Sequence, residues 1–149
     1  MSRTLVHRET QVLDHDVDKV WSTVSDFGGV ATWIPSVSTC TVEGKGIGTV
    51  RTVIRSGMSI QEKLAILDNA THTISYRILD PTPFPMKGFF GTIRLDGQGG
   101  KTRLVWTADA EDIDDDGMAI VRPVMDDFIK SSITGLRAVL DGQPKDSEK

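Results

Sequence analysis

The sequence predicts an α+β fold, a seven-stranded curved antiparallel sheet wrapped around one long C-terminal helix, with two short helices after the first strand. Three observations predict it. Apolar and polar residues alternate in successive short runs through residues 37–110, and glycine-rich or polar turns separate the runs, as in an antiparallel meander. From Asp114 to Leu140 the apolar period lengthens to 3.6 residues. Ahead of the meander, two short helical stretches follow a single alternating segment.

The first strand spans Arg3–Leu13, where Leu5, Val6, Val12 and Leu13 sit among polar residues. Asp16 is placed to cap a helix starting at Val17, with Val17, Val20, Trp21 and Val24 on one face and an end near Phe27. A second short helix, Val30–Ile34, stops at Pro35, because a residue before proline resists the helical conformation. Strands then follow at Val37–Glu43, Thr49–Arg55, Ser59–Asp68 and Thr73–Leu79. Three prolines bar Asp80–Pro85 from a central sheet ladder and make it a stiff loop carrying Phe84. Lys87–Asp96 and Thr102–Ala110 form the last hairpin around Gly97–Gly100.

On the long helix, Met118, Val121, Met125, Phe128, Ile129, Ser132, Leu136 and Val139 form one stripe. Asp126, Asp127, Lys130, Thr134 and Arg137 lie opposite. Pro123 falls on the polar back, where a lost hydrogen bond leaves the core intact. Such a helix, roughly 35–40 Å long, crosses a whole small domain. Ser132 interrupts the stripe, and two readings fit it: a bond back to the carbonyl four residues earlier, or a hydroxyl facing an interior cavity.

Length and composition narrow the functional classes. A chain of 149 residues with 38% hydrophobic and 26% charged residues makes one domain, expected over residues 1–140, with a charged, disordered tail at 141–149. The net charge of −4 offers no electrostatic footprint for nucleic acid. Cys40 stands alone, which excludes an intramolecular disulfide and suits a reducing cytoplasm. No run approaches the ~18 apolar residues of a membrane span, so a cytoplasmic monomer or homodimer without membrane insertion is expected.

Metal and cofactor sites are not expected. Asp112, Asp114 and Asp116 imitate the opening of a calcium loop, but Pro123 occupies the position of its bidentate glutamate, so the cluster is read as a helix cap. His7, His15 and His72 have no metal-ligand spacing. The Gly44–Gly48 turn lacks the following helix that cradles phosphate, and no nucleophile motif is present.

Val20-Trp21, Ser25-Asp26-Phe27, Trp33-Ile34-Pro35, Gly48-Thr49-Val50-Arg51, Gln61-Glu62-Lys63-Leu64 with Leu67-Asp68, Ser75-Tyr76, Leu104-Val105-Trp106 and Gly135-Leu136, in that order, resemble the START-like (Bet v 1-like, SRPBCC) superfamily. The likeness covers nearly the whole chain and is narrowest with the polyketide cyclase/dehydrase-type branch. It implies the helix-grip fold and a hydrophobic pocket between sheet and helix, used for lipids, hormones and plant metabolites or for cyclising polyketides. Plant abscisic acid receptors of this superfamily share an arginine and a glutamate that match Arg51 and Glu62. Their ligand-pairing lysine falls at Ser38, however, and Ser56–Ser59 is too short for their gate loop.

Alternation supplies a lining for such a pocket. Ile60, Glu62, Leu64 and Ile66 share one strand face, as do Ile74, Tyr76 and Ile78, Arg51 and Val53, and Leu104 and Trp106. The expected apolar wall is Val53, Ile60, Leu64, Phe89, Trp106, Met125, Phe128 and Leu136, with Arg51, Glu62, Tyr76 and Ser132 as its polar members. Arg51 and Glu62 fit either a cross-strand ion pair or a ligand-orienting pair.

The leading expectation is therefore a protein that binds a small hydrophobic molecule such as a lipid, sterol or aromatic polyketide, in a cavity above ~300 Å³. The alternative is a cyclase, aromatase or dehydratase using the same pocket, with Arg51, Glu62 and Tyr76 as catalytic candidates. A further alternative is a protein-interaction module built on exposed Trp33, Phe84 and Phe90.

Overall fold

The computed structural model describes residues 3–146. Strands β1 (Thr4–Leu13), β2 (Val37–Glu43), β3 (Val50–Arg55), β4 (Met58–Asp68), β5 (Thr73–Ile78), β6 (Phe90–Gln98) and β7 (Lys101–Ala110) form one antiparallel sheet in the order β1-β7-β6-β5-β4-β3-β2. Helix α1 spans Val17–Val24, a 3-10 turn spans Phe27–Thr32, and α2 spans Asp115–Leu140. The curved sheet grips α2, as the alternating strands and the single long helix require.

Local rules account for most of these boundaries. Asp16 caps α1 by accepting from the Asp18 amide, and Asp114 caps α2 by accepting from the Gly117 amide at 2.7 Å. On β7 every second residue, from Thr102 through Leu104, Trp106 and Ala108 to Ala110, is buried. Two arginines tie α2 to the edge strand β1: Arg122 donates to the Val6 carbonyl and Arg137 to that of Val12.

Several elements depart from the sequence pattern. The second helix is a 3-10 turn that begins at Phe27 and includes Gly28-Gly29, closed by short-range bonds such as Gly29 N–H to the Asp26 carbonyl. A register shift between Leu64 and Ile66 puts a bulge in β4, which turns Ile66 outward to 47% exposure. β6 begins at Phe90 rather than Lys87, whose backbone instead bridges Asp112.

The buried face of α2 centres on Val121, Met125, Ile129, Ile133, Leu136 and Leu140, which leaves Met118, Phe128 and Val139 partly buried. Phe128 therefore lies on the rim of the apolar face. Of the expected tail, residues 147–149 lie outside the described residues, whereas the Lys145 ammonium donates to the carbonyls of Ala31 and Val37, both at 2.7 Å.

At Gly135, α2 comes up against the segment at Trp33 and Pro35. A Cβ there would stand 2.3 Å from the Trp33 carbonyl oxygen and 2.7 Å from Pro35, and backbone cannot yield as a side chain can. Gly135→Ala is therefore expected to cost about 2 kcal/mol or more, although alanine is the better helix former. Urea unfolding that shows an unchanged or higher midpoint would refute this account of the contact.

Candidate functional site

Between α2, the 3-10 turn and the concave face of β3–β7 lies a small apolar cavity. Arg51, Val53 and Arg55 reach it from β3, Glu62 from β4, Ile74 and Tyr76 from β5, Ile93 from β6 and Trp106 from β7. Val24, Val30, Trp33, Ile34 and Val37 close one side, and Phe128 reaches it from α2.

Arg51 and Glu62 are direct cross-strand partners in the β3–β4 register. The guanidinium donates through Nε to Glu62 Oε1 at 2.7 Å, holds Nη2 2.7 Å from the same oxygen, and donates through Nη1 to the Phe27 carbonyl at 2.8 Å. Its faces meet the rings of Phe27 at 4.0 Å and Tyr76 at 5.1 Å. Of the two readings open for this pair, the geometry is that of the ion pair, because three donor contacts and both faces of Arg51 are taken by protein.

Tyr76 lies flat over Gly91, where an added Cβ would fall 2.2 Å from Cζ. Burial, reinforced by the nearby Glu62 charge, pushes its phenol well above the ordinary range, so Tyr76 is a neutral hydrogen-bonding group and not a base. The Trp106 indole N–H opposes this shift from nearby, yet falls short of full hydrogen-bond geometry. The Nε1 of Trp33, the Nε1 of Trp106, and the hydroxyls of Ser36 and Ser132 are all buried without a hydrogen-bond partner among the described residues.

The cavity itself holds about 20 Å³, room for one water molecule. That corrects the expected volume above ~300 Å³. Two of the expected wall aromatics, Trp106 and Phe128, fill the space together with Trp33: Trp106 meets Trp33 at 6.0 Å and stands edge-on to Phe128 at 5.8 Å between ring centroids. Outside Phe128 a surface basin of about 210 Å³ is lined by Ser36, Arg55, Ser56, Met58, Val124, Asp127, Phe128 and Ser131. Phe128 and Arg55 belong to both spaces and form the partition between them.

Of the residues the sequence assigned to the site, Arg51, Val53, Glu62, Tyr76, Trp106 and Phe128 line the cavity. Ile60, Leu64, Phe89, Met125 and Leu136 are buried in the core and lie outside the lining. Ser132 is fully buried, but it neither lines the cavity nor bonds back along the helix. Trp33 is 1% exposed, so the surface cluster imagined with Phe84 and Phe90 does not form. Arg55 was missed although its signal is plain, since it follows Arg51 and Val53 at the same two-residue period.

His7, Glu9 and Asp126, distant in sequence, come together on the β1–α2 side. His7 Nε2 lies 3.3 Å from Glu9 Oε1 and 3.4 Å from Asp126 Oδ1, while the Lys130 ammonium sits 2.8 Å from the same Asp126 oxygen. An ammonium already holding one prospective ligand opposes a second cation there, and the group reads as a partly exposed charge network.

The sequence matches the family described as polyketide cyclase/dehydrase and lipid transport over residues 5–141, and the chain belongs to that family. No curated protein matches the chain. A solution NMR structure of a Thermobifida fusca protein is similar with a TM-score of 0.79 and 22% identity, covering 91% of this chain and 92% of its own. The crystal structure of Zhui aromatase/cyclase from Streptomyces sp. R1128 follows the same fold with a TM-score of 0.68 and 21% identity over 91% and 90% of the two chains. That of Ara h 8.0201 does so with a TM-score of 0.69 and 18% identity over 92% and 97%. At these identities the likenesses speak to the helix-grip fold alone. No described helix is long and apolar enough to cross a membrane.

Two measurements test the site. Arg51→Met or Glu62→Gln alone strands a buried partner and is expected to cost about 3–5 kcal/mol, whereas the double variant should recover a large part of that loss. Additive losses in urea unfolding would contradict the pairing. Tyr76 is the single tyrosine, so its titration is unambiguous. Because its folded pKa lies above the unfolded value near 10, its contribution is complete below about pH 10 and declines above it by about 1.4 kcal/mol per pH unit. Tyr76→Phe should remove that slope, and phenolate absorbance should rise only with alkaline unfolding.

Proposed function

We propose that the protein binds a small hydrophobic molecule between the sheet and α2, and that Phe128 is the group the ligand displaces. The observation that carries this reading is the shared wall itself: a small, mostly apolar cavity and a surface basin that have Phe128 and Arg55 in common, with the N–H groups of the cavity-lining Trp33 and Trp106 buried without a hydrogen-bond partner. Buried donors without acceptors are costly, at about 1–3 kcal/mol each, and a ligand carbonyl or hydroxyl would relieve them. The family description, which includes lipid transport, supports the same reading. We take the site of action to be the cytoplasm, where the half-buried Cys40 thiol would stay reduced.

A cyclase-type reaction is the second reading, supported by the family description and by the aromatase/cyclase among similar folds. Its weakness lies in the residues. Glu62 is engaged by Arg51, and Tyr76 holds its proton, which leaves Tyr76 and the indoles as donors to a developing enolate and no free base among the candidates.

Phe128→Ala tests the displacement directly by joining cavity and basin. Removing this half-buried ring is expected to cost about 2 kcal/mol of stability and to tighten binding of a neutral naphthalene-sized probe about tenfold, because the site no longer has to be opened. Calorimetry showing weaker binding by the variant would sink the proposal.

A further inference from the structure

We propose that Arg55, with the Ser36 hydroxyl, is the seat for a carboxylate carried by the ligand, so that the preferred ligands are amphipathic acids rather than neutral hydrophobes. The inference rests on the ligand-binding reading above and specifies its substrate class.

Charge balance is the first support. The buried charged residues among those described are Arg51, Arg55 and Glu62, two cations and one anion. Glu62 is committed to Arg51 through both Nε and Nη2. Arg55 is 6% exposed, and its guanidinium has neither an ion-pair partner nor a hydrogen-bond acceptor among the described residues. Arginine does not escape this by losing its proton, even where burial depresses its pKa. None of its nitrogens is among the fully buried, unpartnered atoms, so its donors reach solvent at the basin, where a ligand carboxylate would replace water with a charge-assisted bond.

Placement is the second support. The guanidinium stacks at 4.0 Å on Phe128 and lies 5.4 Å from the centre of the Phe84 ring, contacts that use its faces and leave its in-plane donors free. It belongs to the cavity and to the basin alike, and the buried, unpartnered Ser36 hydroxyl lines the same basin. An acid bound there would present its carboxylate to Arg55 and Ser36 while its apolar part takes the place of Phe128 against Trp106. The basin's own carboxylate, Asp127, is exposed and lies beyond ion-pair distance of Arg55. It would oppose the bound anion.

The test compares 1-naphthylacetate with its neutral isostere 1-naphthylacetamide by calorimetry on the full chain. The acid is expected to bind about tenfold tighter or more, and Arg55→Met, which keeps the apolar stem, should bring the two within about twofold by weakening the acid, with the amide binding no more weakly than before. Asp127→Asn should tighten binding of the acid alone. Equal affinities in the unaltered protein, or a preference that survives Arg55→Met, overturn the role of Arg55 while leaving ligand binding intact. Failure of both probes to bind overturns the ligand-binding reading and this inference together. Thermal midpoints guard against the alternative that Asp127 swings in to pair with Arg55. A matching fall in midpoint for Arg55→Met and Asp127→Asn would establish that pair and remove the seat, whereas the expected result is no loss in either.

Discussion

A buried charge has to be satisfied wherever the fold puts it, and Arg51 satisfies its own by drawing four elements together. From β3 it reaches Glu62 on β4 and the Phe27 carbonyl at the start of the 3-10 turn, with Phe27 and Tyr76 against its faces. The 3-10 turn is thus hung from the sheet by a charge-assisted bond rather than by apolar packing alone. Trp33 follows that turn, and α2 is located in turn by the approach of Gly135 to the Trp33 carbonyl. The cavity walls are therefore positioned by one guanidinium and one missing Cβ, and removing either would move both sides of the site at once.

The same arrangement explains why the pocket is small. With the turn held against the sheet and α2 held against the turn, little separation remains, and Trp33, Trp106 and Phe128 interlock across it. The packing leaves two indole N–H groups buried without an acceptor and the Arg55 guanidinium without an ion-pair partner among the described residues. A core selected only for stability would have no reason to retain them. On the ligand-binding reading proposed above, a molecule with acceptors would meet these groups in a second, opened state.

Much of the fold was legible because burial in antiparallel strands follows residue parity. The strict alternation of β7 and of Arg51, Val53 and Arg55 on β3 fixes which side chains face inward without reference to anything distant. Where parity breaks, local reading fails: the bulge after Leu64 turns Ile66 outward, and nothing in Lys63-Leu64-Ala65-Ile66 announces it. The helix stripe was legible as a stripe, but its centre depends on what it packs against. Ile133 proves central and Phe128 marginal, an outcome set by tertiary packing and not by the helical period. The site was legible in its membership and not in its state. That Arg51 faces Glu62 follows from two alternating strands, but that Arg55 lacks a partner depends on where Asp127 of α2 ends up in three dimensions. The 20 Å³ volume likewise depends on three aromatic rotamers that no periodicity encodes.

On the proposed reading, these features act together, since Arg55 stacks on the very ring that lines both cavity and basin. Displacing Phe128 removes the aromatic face on which the guanidinium rests and leaves the cation more poorly matched than before. A neutral ligand offers nothing in exchange, so the cost of opening is charged against its affinity. An acid supplies a charge-assisted bond at the position where the cation–π contact is lost, and its differential affinity for the open state is larger for that reason. Selectivity for acids then needs no specialised gate loop, and the short Ser56–Ser59 turn is no obstacle to it. One ring and one unpaired cation, on α2 and β3, suffice to couple recognition of charge to opening of the pocket.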